Sequence, residues 1–83
     1  MKLPRELSGN ELVHGLKRFG YAVTRQTGSH MRLTTIEHGE HHITVPAHRA
    51  LRVGTLEGIL MDVARHFGMS HEALLERLFG NSG

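Results

Sequence analysis

The stretch Arg25-Gln26-Thr27-Gly28-Ser29-His30-Met31-Arg32-Leu33 sets one imidazole directly after a Gly-Ser pair, between two runs that each carry arginine. Side chains two apart on a β-strand share a face, so His30 and Arg32 are expected to project together. A guanidinium grips phosphate through a planar fork of donors. A neutral imidazole, with an ordinary pKa of about 6.5, takes up a proton close to neutral pH. RNA carries its own nucleophile, the ribose 2′-hydroxyl. A base that removes that proton, beside cations that stabilise the phosphorane oxygens, is sufficient for strand cleavage and leaves a 2′,3′-cyclic phosphate and a 5′-hydroxyl. General-base work of this kind contributes about 10²–10⁴-fold, and positioned donors add to it. DNA lacks the 2′-hydroxyl, so the chemistry selects RNA. Spacing alone also fits a strand histidine that merely faces water.

The neighbours of His30 have candidate roles. Glycine at 28 lets the backbone approach a phosphate, and the Gly28-Ser29 amides are potential donors. His48 follows Val45-Pro46 in a loop, where it either protonates the leaving oxygen, binds phosphate, or only shapes the surface. Lys17, Arg18, Arg25, Arg32, Arg49 and Arg52 are the candidate RNA contacts, and each is equally accounted for as a solvated cation. His38, His41 and His42 invite comparison with a zinc site. Against it, the chain has no cysteine, and His41 and His42, adjacent on a strand, point to opposite faces. No metal is expected. Nor is a nucleotide cofactor, because no glycine-rich phosphate loop precedes a lysine. The methionines, including Met31, Met61 and Met69, read as core or interface.

Around these residues the sequence lays out a meander between helices. Ser8-Gly9-Asn10-Glu11 is a capping box, and Leu12, Val13, Leu16 and Phe19 continue at helical spacing to the terminator Gly20, giving a helix over 9–19. Tyr21–Thr27 and His30–Ile36 read as strands joined by Gly28-Ser29, with Met31, Leu33 and Thr35 on one face and His30, Arg32 and Thr34 on the other. Glu37–Glu40 closes a second hairpin, and His41–Val45 is a third strand stopped by Pro46. Thr55 is the expected cap of a second helix whose apolar side is Leu56, Ile59, Leu60, Val63 and Phe67, ending at Gly68. Ser70 then caps a short helix over 70–79 that bears Leu74, Leu75 and Leu78. The predicted class is α+β, ordered αβββα plus a terminal helix, with a three-stranded antiparallel sheet and both main helices on one face.

Eighty-three residues without a linker-like interruption point to a single domain over 1–83. No apolar run approaches the ~18 residues that span a bilayer, and Pro4, Arg5 and Glu6 interrupt any signal-peptide pattern. Lack of cysteine removes disulfide and thiolate chemistry and fits a reducing cytoplasm. Charge is unevenly spread. From Lys17 to Arg52 six basic side chains oppose two acids, whereas from Glu57 onward four acids oppose two arginines. One face is therefore expected to meet a polyanion, although a solvated basic face gives the same count.

The order αβββα is that of the double-stranded RNA-binding domain. Lys2-Leu3-Pro4-Arg5, Ser8-Gly9, Leu16–Tyr21, Arg25–His30, Thr44–His48 and Gly54–Leu60 together resemble the HicA toxin family, over roughly residues 1–67 in unbroken order. The resemblance implies a small endoribonuclease that cuts messenger RNA and is held inactive by a HicB-type antitoxin. It further implies that the histidine of the Gly-Ser-His segment does the chemistry, a role that falls on His30 with Gly28 and Ser29 shaping its turn. The chain departs from that pattern after Phe67, where Met69–Phe79 is an added amphipathic element. Two other readings use the same residues: a non-catalytic RNA-binding module, and a protein-interaction domain docking through the Met69–Phe79 helix.

Overall fold

A computed structural model describes Leu3 and residues 6–80; Lys2, Pro4 and Arg5 of the opening segment lie outside the described residues. Helix α1 spans Gly9–Leu16 and tightens into a 3-10 turn over Lys17–Phe19. Strands β1 (Ala22–Thr27), β2 (His30–Thr35) and β3 (His41–Pro46) form an antiparallel sheet in the order β1-β2-β3. Helices α2 (Val53–Phe67) and α3 (His71–Phe79) follow. The α+β class and the element order are as the sequence predicts.

Local chemistry accounts for most boundaries. The capping box is formed: Glu11 N–H donates to Ser8 Oγ at 3.0 Å, and Ser8 N–H donates to Glu11 Oε1 at 2.9 Å. Donation from the Ser8 backbone N–H, with a contribution from its hydroxyl, favours the ionised carboxylate and holds the Glu11 pKa below its ordinary value. Gly20, at φ 80, ends the first helical segment in the left-handed region. Ser70 Oγ accepts from Ala73 N–H at 3.0 Å and caps α3.

Thr55 does not cap α2. The helix begins two residues earlier, at Val53, behind an extended Arg52 that makes no side-chain cap bond. The entry is set one residue upstream of Arg52, where buried Leu51 donates its N–H to the Leu7 carbonyl at 2.7 Å. That tie fixes the chain before Thr55 is reached.

One apolar cluster joins Leu12, Leu16 and Phe19 of the first segment, Met31, Leu33, Ile43 and Val45 of the sheet, and Leu56, Leu60 and Val63 of α2. Period two on β2 is strict: Met31, Leu33 and Thr35 are buried, and His30 and Arg32 are exposed. Buried Thr35 donates its hydroxyl to the Phe19 carbonyl at 2.8 Å, so its polar atom is satisfied. Of the two places expected for the methionines, core or interface, Met61 is not in the core. It is 51% exposed, on the outer side of α2, because its neighbour Leu60 occupies the inward position.

Helix α3 is part of this core rather than an appendage. Leu74, Leu75 and Leu78 are buried in the same cluster, and Arg18 Nη1 donates to the Arg77 carbonyl at 2.7 Å. Its apolar face is therefore already covered, which removes the basis for reading it as a free docking helix.

Candidate nucleic-acid interface

The helix-free face of the sheet gathers the residues of interest. Across the ladders His30 pairs with Thr27 and Pro46, and Arg32 pairs with Arg25 and Thr44. The position of Arg25 depends on a β-bulge between Val23 and Arg25. Val23 lies opposite Leu33, whose side chain is buried, and a regular strand would send Arg25 to that same face. The extra residue, Thr24, re-aims Arg25 to the outer face, directly opposite Arg32. Thr24 is held there by its hydroxyl, 2.9 Å from Thr34 Oγ1.

Like charges directly opposite on a sheet repel. Among the described residues neither Arg25 nor Arg32 has a side-chain hydrogen bond or ion pair. Two arginines at directly paired positions, neither bonded to an acid among the described residues, have the donor set that recognises an anion.

The turn carrying Gly28 and Ser29 is fixed to the loop after β3. Gly28 has φ 56, a left-handed value glycine adopts without strain, and a side chain there would meet open space. The Ser29 carbonyl accepts from Ala47 N–H, extending the β2-β3 ladder one step past His30 and Pro46. Next along the loop, the His48 carbonyl accepts from Gly9 N–H at 2.9 Å. A Cβ at position 9 would overlap the Pro46 carbonyl, so the start of α1 abuts this loop only because residue 9 is glycine. The fold thus brings Gly28, Ser29, His30 and the His48 backbone to one end of the sheet. His30, His48, Arg49 and Arg52 are all exposed.

Not every cation expected at this face is there. Arg18 is committed to the last turn of α3, and the Arg77 guanidinium lies 5.3 Å from the centre of the Phe19 ring. Lys17 is exposed in the turn that follows α1, and no contact ties it to the sheet.

The other end of the sheet holds a second set of histidines, and these are partnered. His41 Nε2 lies 3.2 Å from Asp62 Oδ1 and Nδ1 lies 2.7 Å from the Tyr21 hydroxyl. Since a carboxylate only accepts, Nε2 carries the proton and Nδ1 accepts from Tyr21. Burial raises the Tyr21 phenol above its ordinary pKa, and the Asp62 charge adds to that. His66 stacks on His41 at 4.3 Å and donates from Nε2 to the Glu37 carbonyl at 2.8 Å. His42 lies between Thr34 (2.8 Å) and Glu40 (2.7 Å). Among the described residues no group of three or more His, Cys, Asp or Glu converges as metal ligands would. Likewise, no described helix is long and apolar enough to cross a membrane.

A three-stranded sheet backed by helices on one side and bare, cationic and imidazole-bearing on the other defines a small α+β domain built around one open face. Residues 9–67, well over half of the chain, match the family model described as the HicA toxin of bacterial toxin-antitoxin systems. The chain belongs to the HicA toxin family. Searches of the curated proteins and of the solved structures returned no significant match. The matched span begins at the first residue of α1 and ends at the last of α2, so α3 lies beyond it.

Proposed function

We propose that this toxin is an endoribonuclease that cuts messenger RNA, with His30 as general base. The neutral imidazole takes the proton of a ribose 2′-hydroxyl, and the freed oxygen attacks the adjacent phosphorus. The bond from phosphorus to the 5′-oxygen breaks. That oxygen leaves with a proton from His48 or from solvent, giving a 2′,3′-cyclic phosphate and a 5′-hydroxyl. Arg25 and Arg32 hold the phosphate and stabilise the charge that builds on it, and Arg49 and Arg52 extend the cationic track. No metal is needed for any of these steps, so turnover should persist in chelator.

The observation that carries this reading is the unneutralised pair Arg25–Arg32 beside an exposed imidazole that has no partner among the described residues. A binding module would use the same cations without requiring His30. Incubating the purified chain with single-stranded transcripts therefore decides between them. Cleavage that disappears in His30→Ala while the fold persists is the expected result, and a fully active His30→Ala protein removes the assignment.

The partner implied by the family is an antitoxin, and we take it to be of HicB type, working in the cytoplasm. Acidic side chains laid over His30, Arg32 and the Arg49–Arg52 loop would exclude RNA from the face. A complex in which His30 stays open to solvent would require a different inhibitory route.

A further inference from the structure

A groove of about 490 Å³ runs along the outer edge of β3, between that strand and α2. Arg32 and Thr44 form its sheet-side wall, and Gly54, Thr55, Gly58 and Asp62 its helix-side wall. It shares Arg32 with the candidate site. Thr44 lies two residues along β3 from Pro46, the cross-strand partner of His30, a separation of about 7 Å at the rise of a strand. A nucleotide adjoining the scissile bond is within reach of it.

Four features of the groove suit one kind of occupant. The Arg32 guanidinium, unpaired among the described residues, is a phosphate contact at the mouth. His42 also lines the groove, and its two ring nitrogens are taken by Thr34 and Glu40, so what it offers a ligand is its face. Bases stack on such a face. Gly54 and Gly58 sit one helical turn apart, and a Cβ at either would meet nothing within 4 Å. Glycine in a helix interior lowers helix stability, and here it leaves a flat wall against which a planar ring can lie. Finally, Asp62 gives Oδ1 to His41 and keeps Oδ2 without a hydrogen-bond partner among the described residues, with half of its side chain exposed.

We propose that this groove is a nucleobase subsite that selects guanine next to the cleaved bond, with Asp62 as the reading residue. The proposal rests on the nuclease reading above. Guanine alone among the four bases presents a ring N–H and an amino group side by side; Oδ2 accepts one, and Oδ1, which keeps a second lone pair beside the His41 bond, accepts the other. Uracil offers a single ring N–H flanked by two carbonyl oxygens, so it gives the carboxylate one donor and repels its second oxygen. Thr44 and Thr55 supply hydroxyls for the remaining edge. An extended peptide added to the β3 edge is the competing occupant. It is disfavoured because the groove offers only Ile43 and Ile59 as apolar contacts, too few to anchor alternate side chains.

The test uses the full chain carrying His30→Ala, so that RNA binds without being consumed, and short single-stranded RNAs differing only by guanosine or uridine at one central position. Guanosine is expected to bind about tenfold tighter, and Asp62→Asn to erase the difference. A purely structural part for Asp62, through His41, would lower melting temperature and weaken both RNAs equally. Gly58→Leu, at a position where an added Cβ meets nothing within 4 Å, should weaken both RNAs and move the cleavage sites of the otherwise unmodified chain. Equal binding of the two RNAs overturns the proposal. So does a Gly58→Leu protein that cuts as before but loses a protein partner, which would make the edge a peptide site. In both of those outcomes His30-dependent cleavage survives, and the nuclease reading stands. Absence of cleavage by the unmodified chain instead sinks that reading along with this one.

Discussion

The two ends of the sheet each carry histidines, and their surroundings differ in kind. At the β2-β3 hairpin end His41, His42 and His66 have polar partners, and two of them stack. At the β1-β2 hairpin end His30 has no partner among the described residues and stands next to two unneutralised guanidiniums. Histidine count therefore says little about chemistry here. A ring whose nitrogens are already bonded supports the fold, whereas a ring with free nitrogens beside cations is available for proton transfer.

Substitution on each side gives the most decisive separation. His30→Ala should lower RNA cleavage by about 10²-fold or more with no loss of melting temperature. His66→Ala should do the reverse, lowering stability by about 1 kcal/mol and leaving turnover per folded molecule intact. Gel assays on transcripts beside thermal melts read both, and the contrast fails if either variant shows the other's pattern.

The facing arginines sharpen the same contrast through charge. Removing Arg25 or Arg32 should flatten the dependence of log affinity on log salt by about 0.7 each on single-stranded RNA. Arg25→Glu should weaken RNA binding yet stabilise the protein by about 0.2–1 kcal/mol, because it exchanges a repelling pair for an attracting one. A loss of stability in Arg25→Glu would mean the two guanidiniums do not oppose each other in solution.

At the partnered end, titration carries the signal. Tyr21 ionises less readily in the folded chain than in the unfolded one, so the unfolded form gains on the folded one as pH climbs above about 10. Denaturant midpoints should fall across that range, and Tyr21→Phe should abolish the fall while costing about 1 kcal/mol at neutral pH. The smallest effect belongs to His48→Gln, with turnover reduced by less than about tenfold since water also protonates a leaving alkoxide. Unchanged turnover would assign that proton to solvent.

Much of this was legible beforehand because it rests on short-range rules. Ser8 with Glu11, Ser70, Gly20 and Gly68 mark the helix ends they should, and period two on β2 separates Met31 and Leu33 from His30 and Arg32. What was not legible depends on distant partners. The bulge that turns Arg25 outward is seen only once Val23 is matched to Leu33 across the ladder. Arg18 looks like a free cation until the Arg77 carbonyl, far along the chain, is placed beside it. The start of α2 is decided by Leu51 meeting Leu7, and no residue near Thr55 announces it. The capture of His41 between Tyr21 and Asp62 likewise joins β3 to α2 and to the link that precedes β1.

The glycine at the head of α1 gives the molecule a remote adjustment. Because it lets a helix on the covered side press against Pro46, one methyl group added at Gly9 has no room unless the head of α1 and the loop bearing His48 move apart. The spacing between the rear helix and the loop at one end of the open face is therefore set by the absence of a single side chain.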